Sequence, residues 1–326
     1  MAAAGGLTFA ALFVTATGAW TSQAEPPPQS YPLVAQGDPA RADEAQVLGA
    51  LSIPPQRVDG FELMGVSGLA WDDDEGLLYA LSDRGTLFHL RPRLAQGRLA
   101  DVQVLSAHAL RGPDARVLSG SSADAEGLAA MDARNGRRGD SRLLVSFERR
   151  PRILEVRPDG SWLASHALPP PLHRREAYAS GNKSLEAVAH HPVLGILTAP
   201  EQPLRGADAR QLAIYALDGR VWHAPRAPHP NSALTAMEVL PDGSLLLLER
   251  GFELLPPRVV IWLRQGRIGD DGLIQLETRA DLDSSEGWHL DNFEGLARHR
   301  GRRFFLISDD NGSPLQNTLL IYMEVR

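Results

Sequence analysis

The 326-residue sequence contains no cysteine. This absence excludes disulfide bonds, thiolate catalysis and lipid attachment through cysteine, and it suits a protein exported to a periplasm, where stray thiols would be oxidised. Aromatic residues make up only 6% of the chain, and the formal net charge is −7. An acidic balance argues against a nucleic-acid partner, because affinity for nucleic acids comes largely from Lys and Arg neutralising phosphates.

The sequence also lacks the short motifs of several enzyme classes. It has no P-loop, no dinucleotide-binding fingerprint and no H-E-x-x-H zinc motif. The segment GVSGL (65–69) has Leu69 where a serine-hydrolase elbow requires its last glycine. These absences direct attention away from nucleotide, zinc and serine-nucleophile chemistry.

The N-terminus has the features of an export signal. An apolar stretch from Gly6 to Trp20 is followed by a small-residue site ending at Ala24, so residues 1–24 are predicted to be a signal peptide. No Lys or Arg precedes the apolar run, so a disordered or membrane-proximal N-terminus is the alternative. Residues 25–44 are predicted to be a linker. We expect residues 45–326 to form a periplasmic or secreted monomer with no stable membrane insertion after signal removal.

A repeat of four short strands runs through residues 45–326. Each of five units starts with a Gly/Ala-containing strand, continues with an apolar strand that ends in an acid, and adds a third and usually a fourth strand. The units start 49 to 60 residues apart, at Ser67, Glu126, Glu186, Thr235 and Glu294. This pattern predicts an all-β fold, a β-propeller of five four-stranded blades, with six blades as the alternative. The last unit supplies three strands, so residues 45–54 are predicted to close the last blade and to cover its exposed edge.

Acidic residues recur at one register of this repeat. The N-terminus of each first strand and the C-terminus of each second strand must lie on the same face, because the two strands are antiparallel. Glu126, Glu186 and Glu294 occupy the first position. The second position holds Asp83, Glu148, Glu201, Glu249 and Asp309.

Eight carboxylates around one opening must raise each other's pKa or recruit cations. Oxygen ligands in excess favour Ca²⁺, whereas the scarcity of histidine disfavours zinc and copper. The eight acids are therefore predicted to be calcium ligands. The alternative interpretation is a set of ordinary ion pairs with neighbouring arginines and no metal.

The acidic turn WDDDEG, residues 71–76, resembles an EF-hand loop only superficially, because it lacks the glycine at the sixth position and the glutamate at the twelfth. It is predicted to be a solvated turn on the opposite face of the propeller.

Three segments, NKSLEA (182–187), DNFEGLA (291–297) and SDDN (308–311), are the most specific parts of a wider resemblance. Between Val58 and Val325 the sequence resembles the bacterial phytase-like family known as esterase-like activity of phytase. This resemblance implies an exported β-propeller and phosphoester hydrolysis. The sequence is also similar, more distantly, to β-propeller phytases. In those enzymes several Ca²⁺ ions at an acidic channel mouth bind the substrate phosphate.

The leading functional hypothesis is a Ca²⁺-dependent hydrolase of small phosphoesters. Catalysis is assigned to Glu186, Glu294, Lys183, Arg149 and Arg250, with Arg84 as a further phosphate contact. In this hypothesis the basic side chains contact phosphate oxygens, and a metal-bound water attacks. A metal-dependent lactonase or carboxylesterase is one alternative, and a non-catalytic Ca²⁺-binding module is another.

Overall fold

Five antiparallel sheets form a β-propeller in the computed structural model, which describes residues 26–34, 45–181, 183–313 and 315–325. The predicted signal peptide lies outside the described residues. The prediction of five four-stranded blades is confirmed. Regular structure other than strands is limited, in this part of the chain, to single 3-10 turns at Gly120–Ser122, Pro170–Leu172, Arg175–Ala177 and Ser284–Glu286. No described helix is long and apolar enough to cross a membrane.

The first four blades follow chain order, each from its innermost to its outermost strand. A two-stranded hairpin of β3 (Arg57–Val58) and β4 (Phe61–Glu62) precedes them. Blade 1 contains β5 (Val66–Asp72), β6 (Leu77–Ser82), β7 (Thr86–Ala95) and β8 (Arg98–Ala109). Blade 2 contains β9 (Ala125–Met131), β10 (Arg142–Phe147), β11 (Arg152–Val156) and β12 (Trp162–His166). Blade 3 contains β13 (Leu185–His191), β14 (Gly195–Pro200), β15 (Gln211–Ala216) and β16 (Val221–Pro225). Blade 4 contains β17 (Ala233–Val239), β18 (Leu245–Leu254), β19 (Pro257–Ile268) and β20 (Ile274–Asp283).

The N-terminal part of the chain closes blade 5, as predicted. Blade 5 contains β21 (Asn292–Arg300), β22 (Arg303–Asp309) and β23 (Thr318–Val325), and β2 (Ala45–Ile53) pairs antiparallel with β23. A two-residue strand, β1 (Gln29–Ser30), lies within the segment predicted to be a linker and extends the same sheet by pairing with β2. The closing strand joins the two ends of the propeller and removes a free edge.

Long apolar runs in the second strands follow from packing on both faces. In β22, RFFLISD, every residue after Arg303 is buried, because blade 5 packs between its two neighbours. A strand that is covered on both faces has no solvent side and therefore no polar alternation. The hydrophobic clusters accordingly lie between blades, for example between blades 4 and 5 around Leu248, Ile261 and Leu306.

The innermost strands β5, β9, β13, β17 and β21 contact one another in a closed ring around a narrow channel. Glycine in the repeated G-L-A motif permits their close approach. A Cβ atom at Gly127 would lie 2.3 Å from the carbonyl oxygen of Glu186, and one at Gly68 would lie 2.7 Å from that of Glu126. The channel narrows at its middle to a cavity of about 10 Å³ lined by Leu69, Leu128, Val188, Met237 and Leu296. A cavity of about that volume holds at most one water molecule. This narrow waist therefore separates the two mouths of the channel.

Candidate functional site

The acidic mouth of the channel is formed where the innermost strands begin and the second strands end. Glu126, Glu186 and Glu294 lie near the starts of β9, β13 and β21, whereas Glu148 and Glu201 directly follow β10 and β14. The antiparallel pairing of each first and second strand brings both positions to one face. Strand geometry alone therefore gathers acids that are up to 168 residues apart in the chain, from Glu126 to Glu294.

Six carboxylates converge in three overlapping groups whose ligand oxygens lie within 4.8 Å of one another. The groups are Asp124–Glu126–Glu148, Glu126–Glu186–Glu294 and Glu148–Glu186–Glu201. Each group shares a residue with the next, so the carboxylates form one continuous cluster that spans blades 2, 3 and 5. We call these six residues the acidic cluster.

Three basic side chains pair with the periphery of the acidic cluster. The Arg149 Nε lies 3.3 Å from Asp124, and the Lys183 Nζ lies 3.2 Å from Glu201. The Arg250 Nη1 lies 2.9 Å from Glu294, which also accepts a hydrogen bond from the Asn292 side chain at 2.9 Å. The predicted catalytic residues Glu186, Glu294, Lys183, Arg149 and Arg250 thus all lie at or beside the cluster.

The other three members, Glu126, Glu148 and Glu186, form no ion pair with Lys or Arg within the described residues. Burial and then the charge of neighbouring carboxylates raise the pKa of Glu126 and Glu186 well above the ordinary value. Burial, Asp124 and Glu201 together raise the pKa of Glu148 to about 8. Each of these carboxylates is therefore disfavoured as an anion unless a cation joins it.

Asp83 and Asp309 lie outside the three groups but beside Glu294. Burial raises the pKa of Asp83, and Arg84 opposes that rise. Burial and Glu294 raise the pKa of Asp309 to about 8, although the backbone N–H of Asn311 donates to its carboxylate at 2.7 Å. These two predicted ligands form a flank of the mouth between blades 1 and 5 rather than part of the cluster.

Glu249, the eighth predicted ligand, is placed in a structural ion pair instead. Its carboxylate is fully buried, and Oε1 lies 2.7 Å from the Arg264 Nη1. The second oxygen, Oε2, accepts a hydrogen bond from the backbone N–H of Ala227 at 2.7 Å. Both oxygens are engaged within blade 4 and its entry loop, so Glu249 is not available to a shared metal.

Two features of the mouth were not predicted from the sequence. Asp124 belongs to the acidic cluster, although it precedes β9 by one residue. It lies two residues before Glu126, so the two-residue alternation of a strand is the signal that identifies it. In the motif SDDN the second acid, Asp310, is structural, because it accepts hydrogen bonds from the backbone N–H groups of Gly65 and Gly312, both at 2.9 Å.

Comparisons with known proteins found one matching family and similar solved structures. The sequence model of a family described as "Phytase-like: Esterase-like activity of phytase" matches residues 62–312. A solved structure of a gluconolactonase from Xanthomonas campestris is similar with a TM-score of 0.40 and 15% sequence identity, covering 92% of this chain and 99% of the other. No curated protein matches the sequence.

Proposed function

Since this chain belongs to the phytase-like family named for an esterase-like activity of phytase, we propose that it is a hydrolase that uses Ca²⁺ to cleave small phosphoesters at the acidic mouth. The observation that carries the proposal is the acidic cluster, in which Glu126, Glu148 and Glu186 have no basic partner among the described residues. Three carboxylates without a basic partner, of which Glu148 and Glu186 are buried, require protons or a cation. A bound cation would leave all of them ionised at neutral pH.

The donor set fits Ca²⁺ on its chemistry and spacing. All six ligands are carboxylates, and Ca²⁺ prefers oxygen donors in irregular geometry at about 2.3–2.6 Å. Two ligands of one such ion lie up to about twice that distance apart, which agrees with oxygens that lie within 4.8 Å of one another. Glu126, Glu148 and Glu186 each belong to two of the three groups, so most of the affinity should depend on these three residues.

The basic residues at the rim supply the second half of the proposal. Lys183 and Arg250 each neutralise one acid of the cluster, Glu201 and Glu294 respectively. A guanidinium can hold phosphate oxygens with two parallel hydrogen bonds, and Lys acts as a point charge. When bound, the metal would polarise the phosphoryl group and lower the pKa of a water ligand. Lys183, Arg149 and Arg250 would hold the phosphate above the cluster in one orientation.

Hydrolysis of a carboxylic ester or lactone is the second candidate function, and the word "esterase-like" in the family description favours it. The same cluster could serve this reaction, because a bound cation polarises a carbonyl oxygen as readily as a phosphoryl oxygen. The two functions differ in the charge of the substrate. A phosphoester would depend on Lys183 and Arg250, whereas a neutral ester would not.

Turnover assays test the proposal. The protein, freed of metal by EDTA, is assayed with p-nitrophenyl phosphate, phytate, p-nitrophenyl acetate and a simple lactone, before and after adding CaCl₂. We expect Ca²⁺-dependent turnover of a phosphoester, loss of that turnover in Glu186→Gln, and a larger KM in Lys183→Met. Ester or lactone turnover that Lys183→Met leaves unchanged would support the second candidate. Binding of Ca²⁺ without turnover of any substrate would indicate a non-catalytic module.

We further propose that the protein acts after export, as a monomer. Absence of cysteine and the signal-like N-terminus support this location. Extracellular compartments also suit weak Ca²⁺ sites, which have dissociation constants of about 10⁻⁴–10⁻³ M. Cell fractionation and N-terminal sequencing of the mature protein test export. We predict cleavage after Ala24, and an intact N-terminus would contradict this prediction. Gel filtration tests the monomer.

A further inference from the structure

The channel has a second mouth, opposite the acidic one, which opens into a cavity of about 380 Å³. The cavity volume is within the range of about 300–1,000 Å³ that small-molecule sites have. Its walls are the C-terminal halves of the innermost strands, and much of the lining is small and apolar. That part of the lining comprises Ala70, Ala129, Ala130, Ala189 and Val239. The narrow waist separates this cavity from the acidic cluster, so the two mouths can bind different ligands.

Two arginines face this cavity. Arg298 belongs to β21, and its Nε–H is buried without a hydrogen-bond partner among the described residues. The guanidinium of Arg134, an exposed residue, donates through Nη2 to the backbone carbonyl oxygen of Arg298, and the charges of the two arginines act on each other. Burial and the charge of Arg298 lower the pKa of Arg134, as expected for like charges in a partly desolvated site.

The carboxylates of the cavity do not compensate this charge. Asp132 is already paired with Arg142 at 2.6 Å. Burial raises the pKa of Glu238 to about 7, and a hydrogen bond from the backbone N–H of Arg298 and the charges of Arg134 and Arg298 oppose that rise. Among the residues that line the cavity, two guanidinium groups therefore face one carboxyl group without an ion pair, Glu238, and a bound carboxylate would offset the excess positive charge.

The loop that presents Arg134 is held in place by the acidic turn of blade 1. Asp74 accepts hydrogen bonds from the backbone N–H groups of Asn135 and Gly136 at 2.9 and 3.0 Å, and the backbone N–H of Asp73 donates to Ala133 at 2.9 Å. The turn WDDDEG was predicted to be a solvated turn on this face. It does lie on this face, but its acids also bind a neighbouring loop. Its acids fix a neighbouring loop, so the position of Arg134 is determined before any ligand binds.

We propose that the second mouth binds a small organic monocarboxylate, with its carboxylate between Arg134 and Arg298 and its apolar part against the alanine wall. Planar guanidinium groups match a carboxylate with two parallel hydrogen bonds. A single negative charge balances the cavity, whereas a phosphate dianion would be repelled by Glu238. This site is independent of the proposed hydrolase activity, since it shares no residue with the acidic cluster.

Calorimetric titration with benzoate, hexanoate and the uncharged analogue benzamide tests the proposal. We expect saturable, one-to-one binding of at least one carboxylate and at least tenfold weaker binding of benzamide. Arg298→Met should weaken carboxylate binding about tenfold or more, because a charged hydrogen bond is lost. Glu238→Gln should strengthen carboxylate binding, because it removes a repelling charge. The matched control is Arg137→Met, an exposed arginine of the same loop that does not line the cavity.

Three results would overturn the proposal: no saturable binding of either carboxylate, equal binding of benzoate and benzamide, or undiminished binding by a correctly folded Arg298→Met variant. Circular dichroism and thermal unfolding establish that each variant is folded. A fall in affinity in Glu238→Gln would also contradict the assigned charge balance. A merely structural effect would lower the stability of the variants without opposite changes in affinity for Arg298→Met and Glu238→Gln.

Discussion

Arg250 donates a hydrogen bond through Nη1 to the Glu294 Oε1 at 2.9 Å, across the boundary between blades 4 and 5. Its Nη2 lies 3.9 Å from the Glu201 Oε1 of blade 3. One guanidinium therefore connects the carboxylates of two other blades, and the charge of Arg250 in turn opposes the rise in the pKa of Glu186. The side chain of Arg250 is only 19% exposed, so solvent screens these interactions weakly.

We expect Arg250→Met to destabilise the metal-free protein. Removing one partner of a buried ion pair leaves an uncompensated charge, and such changes lower the free energy of unfolding by about 3–5 kcal/mol. Arg149→Met is the matched control. The Arg149 side chain is 47% exposed, so its loss should change the free energy of unfolding by less than about 1 kcal/mol. Urea unfolding in EDTA measures both, and equal effects of the two variants would contradict the special role of Arg250.

Glu249→Gln and Glu186→Gln should have opposite consequences. Glu249→Gln breaks the buried pair with Arg264 and should lower the free energy of unfolding by about 3–5 kcal/mol, while leaving the affinity for Ca²⁺ unchanged. Glu186→Gln removes a carboxylate from a repulsive cluster, so the metal-free protein should become more stable and Ca²⁺ should bind at least tenfold more weakly. Urea unfolding in EDTA and calorimetric titration with CaCl₂ measure the two quantities. If Glu249→Gln weakened Ca²⁺ binding as much as Glu186→Gln, the structural assignment of Glu249 would be wrong.

The metal-free protein should lose stability as the pH rises. The pKa of Glu148 and that of Asp309 are about 8 in the native protein, against about 4.3 and 3.9 for free side chains. Between these limits the native state holds protons that the unfolded chain has released, so the stability that these two groups contribute is full below about pH 4 and is lost by about pH 8. Urea unfolding in EDTA at several values between pH 6.5 and 8.5 should show this fall, and it should be smaller in Glu148→Gln. Added Ca²⁺ should reverse the trend, because it binds the deprotonated carboxylates. An identical pH dependence in the wild type and in Glu148→Gln would refute the assignment.

Gly127→Ala should be strongly destabilising for a steric reason. The added Cβ would meet the Glu186 carbonyl oxygen at 2.3 Å and the Ser146 Oγ at 2.5 Å, and backbone cannot move aside easily. Overpacking costs about 1–3 kcal/mol and occasionally more, so we expect a loss at the upper end. Gly112→Ala is the control, since its nearest contacts would be 3.3 Å away and belong to side chains. Thermal unfolding of both variants checks this, and a stable Gly127→Ala protein would contradict the close packing of β9 against β13.

The blades could be predicted from the sequence because each repeats a physical pattern. The second strand of a blade is apolar because it is buried between neighbouring blades. An acid such as Glu148 or Glu201 follows it because the chain there reaches the mouth of the channel. Closure by β2 was predictable because the last unit supplies only three strands. These features depend on local patterns and on antiparallel pairing, both of which a sequence displays.

The partners of individual charges could not be predicted in this way. Glu249 has the same register as Glu201, yet it pairs with Arg264, whose position depends on the long β18–β19 hairpin and a cross-strand geometry that spacing does not reveal. The second mouth was missed for a different reason. Every second residue of β21 faces the channel: Glu294 at the acidic mouth, Leu296 at the waist and Arg298 at the opposite cavity. The two-residue period of a strand therefore places Arg298 at the second mouth once the direction of the channel is known.

An anomalous difference map from a crystal grown in CaCl₂ tests the metal assignment most directly. The account predicts a Ca²⁺ peak within about 2.3–2.6 Å of carboxylate oxygens of Glu186, with further ligands from Glu126 and Glu294 or from Glu148 and Glu201. A well-ordered mouth with no peak, in which neighbouring carboxyl groups share protons, would contradict it.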